Sequence, residues 1–470
     1  KASRVASSSW TMVQGDLNVN AGGTLDYGSE ADPVPAAINA HLILSSGTIG
    51  GQYGLIVKNG GNFTVRGSTK TPYAFATQSI TTADTSLTVY ASTSVSGWLA
   101  GDVIAIGPSA GSGATTTSSR TVSSITGGPA YTINWSGAAL SASRVYTATA
   151  PIVVLNLTRN VFVRSSGTIV SGAGANSAYI QNLAQNATSF ALAHGEFAWL
   201  GANTASRYGV TFDGSSTRGS ISTSTIRDGW MLALTGASSN DFRSNNIFAQ
   251  RGSGSFDRAA VTVQSGASLN HFAGNAVAAS AGTAMFFGGD ANVLSDNMLF
   301  SNSGTGFYAQ SSARDTFVRN RAFSNTGAGI YLHNAGSDRH LLVENRLYAN
   351  STGVGFERSG DNLLVGNLIH DNANSGIYVD GPVNTSIVAG GLLGYDQTGA
   401  PAPNGADEIE LSIYSGASGL RLRGARVNPS AGVSFNGTFT DGSFVLSYNK
   451  SYATGSVRLW GHYQIAGSTL

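Results

Sequence analysis

The 470-residue chain contains no cysteine, and only 11% of its residues are charged. Without cysteine there is no disulfide framework, no thiolate metal site and no cysteine nucleophile. The charged fraction is less than half the roughly 25% of an average soluble protein, and the net charge is only +1. The lysines, Lys1, Lys58, Lys70 and Lys450, are scattered, so no basic stripe marks a nucleic-acid or anionic-lipid surface. No apolar run approaches the roughly 18 residues of a membrane-spanning helix. Neither an HExxH zinc motif nor a DxDxDG calcium loop occurs, so no cofactor is expected, and calcium is an open choice without a motif to hold it. The opening residues, Lys1–Trp10, have no signal-peptide core, and the chain reads as a mature or excised soluble fragment. Its lysine-poor, Ser/Thr/Gly/Asn-rich composition suits an extracellular or cell-surface location.

What is present is 61 glycines and 41% hydrophobic residues, a composition of short strands, tight turns and a substantial core. Asparagine recurs in equivalent contexts at Asn245, Asn275, Asn297, Asn320, Asn345 and Asn367. Subtracting these positions gives spacings of 30, 22, 23, 25 and 22, the period of one solenoid coil. A second asparagine follows at Asn302, Asn325, Asn350 and Asn372, and then a glycine at Gly306, Gly329, Gly355 and Gly376. Asn and Gly tolerate left-handed backbone angles, so these positions are expected to form the corners, with asparagine side chains hydrogen-bonded from coil to coil. Leu299, Ala322, Leu347 and Ile369 share one inward register, and Phe307, Ile330, Phe356 and Ile377 share another. The pattern resembles the right-handed parallel β-helix of polysaccharide lyases, epimerases and many surface proteins, which implies an all-β solenoid.

Upstream, residues 10 to 165 carry a less regular β pattern. It includes Gly22-Gly23-Thr24-Leu25 followed by Gly28-Ser29-Glu30, then Gly60–Gly67, Trp98 before Gly101-Asp102-Val103-Ile104, and Leu157-Thr158-Arg159-Asn160-Val161. In this order the pieces resemble a G8 domain. In the cell-migration-inducing hyaluronidases, the transmembrane hyaluronidase and fibrocystin-like proteins, such a domain precedes a parallel β-helix, and this chain resembles a divergent bacterial-type member. The expected organisation is a G8-like β-rich region over 1–165, β-helix repeats over 166–400, and C-terminal strands with a loop over 401–470, read as a possible cap. The hyaluronidases of that family carry Arg-Tyr-Pro, an aliphatic residue and His-Phe-His. The matching stretch here is Arg207, Tyr208, Gly209, Val210, Thr211, Phe212 and Asp213. Both histidines are replaced, so the family's hyaluronidase chemistry is not expected to survive.

The columns that stacked coils create carry the remaining functional expectations. One outward column is read as Phe286, Tyr308, Tyr331, Glu357 and Tyr378, and its neighbour as Gly288, Gln310, His333, Ser359 and Asp380. A second face carries Phe300, Phe323, Tyr348 and His370 beside Met298, Arg321, Arg346 and Leu368. Exposed aromatic rows suit sugar rings, and equally serve as structural ladders between parallel strands. Tyr308, Tyr331, Tyr378, Phe300, Phe323, Tyr348, His370, Arg321 and Arg346 are therefore the candidate binding residues. His333, Glu357 and Asp380 form the local set with acid–base potential. Asp296, Arg319 and Glu344 read as an exposed salt-bridge ladder, and Asp338, Arg339 and His340 as a solvated turn.

These features point first to an extracellular structural or adhesive β-helix protein, carbohydrate-binding or self-assembling through its ends, and leaning away from an enzyme. The alternative is a hydrolase or lyase that degrades polysaccharide from the outer face. The expected partners are a polysaccharide or surface glycan and further copies of the chain, with no nucleic acid and no membrane span.

Overall fold

A computed structural model describes residues 1–90, 95–109, 116–128, 130–137, 140–253, 258–381, 383, 386–410, 420–423 and 425–428, with the backbone of 411–413 and of strands Val433–Gly437, Phe444–Ser447, Lys450–Ser451 and Gln464–Ala466. Residues 452–463, with His462, lie outside the described residues. The chain divides into two compact units, Lys1–Gly282 and Thr283–Leu470, and both are built from coils of parallel β-helix with short strands in three sheets.

In the first unit, the coils begin with the earliest strands. Ser8–Thr11 pairs in parallel with Ala40–Leu44, Leu17–Val19 with Gly54–Val57, and Thr24–Tyr27 with Asn62–Arg66. Ala40–Leu44 then pairs directly with Val161–Ser165. The intervening chain leaves the solenoid and forms a six-stranded antiparallel sheet of Tyr73–Phe75, Ser86–Tyr90, Val103–Ile106, Ser118–Gly127, Ala130–Ser136 and Val153–Asn156. A bridge between Ala76 and Val89 joins its two edge strands, so no long edge is left open. Its own core holds Leu87, Trp98, Ile104, Ile106, Ile133, Trp135 and Val154.

Buried polar side chains tie this insertion to the coils. Trp98 Nε1 donates to the Thr71 carbonyl at 2.7 Å. Lys70 Nζ donates to both oxygens of Asp102, which also accepts from Asn156 Nδ2. Asn160 accepts from Ser68 N and donates to the carbonyls of Pro35 and Ile38. Glu196 accepts from Arg159 N and from Arg227. The Gly-Asp-x-Ile and Leu-Thr-Arg-Asn-Val motifs thus serve the base of the insertion, where Lys70 pairs with Asp102 and Arg227 with Glu196, and the buried Arg159 guanidinium donates to the carbonyls of Asn156, Thr158 and Thr223.

In the second unit, three sheets run in chain order. Sheet I contains Met285–Phe287, Phe307–Gln310, Ile330–His333, Val354–Glu357 and Ile377–Asp380. Sheet II contains Val293–Ser295, Thr316–Val318, Leu341–Val343, Leu363–Val365 and Ile387–Ala389. Sheet III contains Met298–Phe300, Arg321–Phe323, Arg346–Tyr348, Leu368–His370 and Leu392–Leu393. Leu299, Ala322, Leu347 and Ile369 stack inward in register and are fully buried.

The corners follow one rule that differs from the sequence expectation. The left-handed residue is the one before each asparagine: Asp296, Arg319 and Glu344 at one corner, and Ser301, Ser324, Ala349 and Asp371 at the next, all with φ between 51° and 57°. The asparagine then turns inward and bonds along the stack. Asn345 Oδ1 accepts from the backbone N and Nδ2 of Asn320, and Asn345 Nδ2 donates to the Phe317 carbonyl and to Asn367 Oδ1. The same pattern links Asn302, Asn325, Asn350, Asn372 and Asn404. A left-handed non-glycine residue costs on the order of 1 kcal/mol, and each such corner is held by several buried hydrogen bonds worth roughly that much each. Outside, Arg319 makes a two-pronged pair with Asp296 at 2.9 Å, one rung of the expected exposed ladder, with Glu344 at the equivalent corner of the next coil.

The corner from sheet I to sheet II carries a third stack, Asn292, Asp315, His340, Asn362 and Ser386. His340, expected in a solvated turn, is buried here with Nδ1 accepting from Asp315 N and Nε2 against Ser337 Oγ. The residue before it, Arg339, takes the left-handed corner and the exposure. Burial pushes Asp315 up to about 7 and His340 down to about 4, so His340 is neutral at neutral pH and Asp315 keeps its proton below about pH 7.

Two outcomes follow. Asn345→Ala removes the acceptor of the buried Asn320 backbone N–H and one of the two partners of its Nδ2, and chemical denaturation should show a loss of about 2–4 kcal/mol. For Asp315, the folded state holds a proton that the unfolded chain releases near pH 4, so its contribution is full below that and is lost as pH rises through about 7. Asp315→Asn, which cannot ionise, should stabilise the protein by about 2–4 kcal/mol at pH 8 and by almost nothing at pH 4; an equal effect at both pH values is the contrary result.

Candidate functional site

The outer face of sheet I gathers the residues with acid–base potential. Strand alternation sends Phe307 and Ala309 inward and Tyr308 and Gln310 outward. The pairing then fixes two outer columns. The first is Phe286, Tyr308, Tyr331, Gly355 and Tyr378, and the second is Gln310, His333, Glu357 and Asp380. This corrects the sequence reading, which placed Glu357 among the tyrosines and Ser359 beside His333. The coil turns at Gly353, whose carbonyl accepts from Ile330 N, and not at Gly355. Val354 accordingly takes the inward place assigned to Phe356, which pairs with Leu332 and Val379. The error was two residues, and a two-residue slip preserves which face each side chain occupies.

Gly355 has a specific use. The ring of Tyr331 folds down over it so closely that a Cβ there would lie 2.2 Å from Tyr331 Cδ2. This lets the Tyr331 hydroxyl reach into the second column and donate to Glu357 Oε2 at 2.9 Å. His333 Nε2 meets the same oxygen at 3.1 Å, while His333 Nδ1 is buried without a hydrogen-bond partner among the described residues. Tyr308 stacks on Tyr331 at 5.5 Å and flanks His333 at 5.6 Å. Burial raises both phenols far above their ordinary range, with Glu357 adding to the effect. Asp380 is also raised, first by burial and then by the Glu357 charge.

Glu357 and Asp380 are directly paired on adjacent coils, so their backbones stand about 4.8 Å apart. Two carboxylates on adjacent coils of one partly exposed face are the kind of arrangement from which acid–base pairs are made. Tyr331, His333, Glu357, Tyr378 and Asp380 are all partly exposed, so this face is open to a ligand.

The second expected binding face does not have that property. On sheet III, Phe300, Phe323, Tyr348 and His370 stack nearly parallel with centroids 5.1, 5.0 and 5.3 Å apart. Phe300, Phe323 and Tyr348 are at most 2% exposed, and Tyr308 on sheet I is 1% exposed. The rings cover one another from coil to coil and offer no face to a sugar. Arg321 lies beside the stack, 5.9 Å from the Phe323 ring and 3.4 Å from the Tyr348 hydroxyl, and Arg346, two coils along from Met298, is partly buried.

The Arg207–Asp213 segment is a structural element of the first unit. Arg207 holds the carbonyls of Gly50 and Gln52 and lies over the Tyr179 ring. In the strand Gly209–Asp213, Val210 and Phe212 are core, Thr211 is buried, and Asp213 accepts from Gln181. The positions of the missing histidines thus carry packing and a single hydrogen bond.

The family model for a right-handed beta helix region matches residues 254–390, and no curated protein matches. Similar solved structures include the periplasmic alginate epimerase AlgG, with 18% identity and a TM-score of 0.41 over 59% of this chain and 62% of that one. The A-module of mannuronan C-5 epimerase AlgE6 from Azotobacter vinelandii matches with 14% identity and a TM-score of 0.34, over 67% of this chain and 84% of that one. The catalytic domain of a GH87 α-1,3-glucanase matches with 9% identity and a TM-score of 0.38, over 86% and 90%. The chain thus spans less than two thirds of the AlgG structure's length. No helix among the described residues is long and apolar enough to cross a membrane.

Gly355→Ala tests the geometry of the face. The added methyl displaces the Tyr331 ring and separates its hydroxyl from Glu357, and alkaline spectrophotometric titration should then show one phenol ionising at lower pH than in the wild type. An unchanged titration would mean that Tyr331 is not seated over this glycine.

Proposed function

We propose that the protein works outside the cell and binds a polysaccharide along the outer face of sheet I, through Tyr331, His333, Glu357, Tyr378 and Asp380. The observation that carries this reading is the pair of in-register columns: hydrogen-bonding groups partly exposed on consecutive coils at Gln310, His333, Glu357 and Asp380, beside partly exposed rings at Tyr331 and Tyr378 two coils apart. A sugar ring needs an apolar edge beside convergent polar atoms, and the face offers that combination twice, at Tyr331 beside His333 and at Tyr378 beside Asp380, two coils or about 10 Å apart along one strand of polymer. The sparse charge and the G8-like order of the N-terminal motifs support an extracellular, adhesive role for a divergent member of that group. Self-assembly through the end strands is a further part of the reading, because Ser8–Thr11 has a pairing partner on one side only among the described residues.

One observation favours a second reading. Glu357 and Asp380 are adjacent, and Asp380 is biased toward its protonated form by burial and by its neighbour, which suits cleavage of a glycosidic bond. Purified protein mixed with neutral and acidic polysaccharides and separated by chromatography with light scattering distinguishes the two. Binding predicts polymer of unchanged length carrying protein, weakened roughly tenfold by Tyr378→Ala, a loss of about 1.4 kcal/mol. Cleavage predicts shortened polymer, abolished by Glu357→Gln. Polymer that neither shortens nor retains protein removes both readings, and large protein particles without polymer report self-assembly.

A further inference from the structure

The base of the insertion in the first unit holds a set of side chains that exceeds what an ion pair needs. Lys70 stands where the chain leaves the coils, Asn156 ends the strand by which it returns, and Asp102 comes from between them. All three are at most 6% exposed. Lys70 Nζ lies 2.7 and 2.9 Å from the Asp102 oxygens. Asp102 Oδ2, the farther of the two, also receives Asn156 Nδ2 at 2.8 Å. One carboxylate oxygen therefore touches both an amine and the amide nitrogen of a carboxamide. On the other side of that carboxamide, Asn156 Oδ1 accepts from Thr158 N at 2.9 Å and from Arg159 Nη1 at 3.4 Å.

We propose that Lys70 and Asn156 form an intramolecular isopeptide bond, with Asp102 as the proton carrier. Lys70 first gives a proton to Asp102, and the neutral Nζ attacks Cγ of Asn156. Negative charge that develops on Oδ1 is met by the Thr158 N–H and the Arg159 guanidinium, donors already aimed at that oxygen. Asp102 passes its proton to Nδ2 and takes one from the attacking nitrogen. The Cγ–Nδ2 bond breaks, ammonia leaves, and it carries the released proton into solvent as ammonium. One C–N bond replaces another, nothing is oxidised or reduced, and no further reactant is required. The protein contributes proximity and exclusion of water, and burial lowers the Lys70 ammonium from its ordinary range, the direction that frees a nucleophilic lone pair.

The bond is read by mass. The denatured wild-type protein should be lighter than its sequence mass by one ammonia, and proteolysis should yield a branched peptide joining the segments that contain Lys70 and Asn156. Asn156→Ala and Asp102→Asn should each restore the full sequence mass of the variant and remove the branched peptide. Full mass in the folded wild type overturns the proposal without any variant. So does ammonia loss without a branched peptide, which would report cyclisation of Asn156 on its own backbone, and so does loss of one water, which would place the bond between Lys70 and Asp102.

Discussion

Everything in the solenoid depends on one corner: a left-handed residue outside, followed by a buried amide inside. The left-handed backbone is unfavourable for aspartate, arginine, serine and alanine alike, yet all of them occupy it here. They do so because the next side chain locks the turn to the coils on either side, taking hydrogen bonds from one and giving them to the other. The corner residue can therefore vary freely with solvent, whereas the buried one is constrained by its partners. Where Asp315 and His340 replace the amide, burial disfavours the charged form of each, and each still supplies a polar atom at the required place.

The corner also sets the register of the candidate face on sheet I. Each coil's strand in sheet I begins a fixed distance after its buried asparagine only when the connecting loop is constant, and that condition fails once. Around Gly353 and Gly355 two glycines compete for one structural place, and the backbone chooses the first because its carbonyl completes the parallel ladder. The second glycine is then free to receive the Tyr331 ring, which creates the Tyr331–Glu357–His333 cluster.

The fold class, the inward stacks and the asparagine ladders were legible in the sequence because they repeat, and repetition exposes a pattern even where single residues are ambiguous. His333, Glu357 and Asp380 were legible as a group, since any two-residue error keeps them on the outer face, but their direct adjacency was not. Two further things were hidden. The burial of Phe300, Phe323 and Tyr348 depends on what lies over an outward face, which no strand alternation encodes. The cluster of Lys70, Asp102 and Asn156 is assembled from three distant segments, and its members read individually as unremarkable residues of a β pattern. The motifs around Asp102 and Arg159 signalled only that those stretches mattered.

The direct pairing of Ala40–Leu44 with Val161–Ser165 means that the coils of the first unit close ranks across the point where the insertion departs. A pull applied along the solenoid passes from coil to coil through that ladder and never travels through the antiparallel sheet. The insertion hangs beside the load path instead of lying within it, so its contents can be exchanged for other folded material without weakening the column that carries the tension.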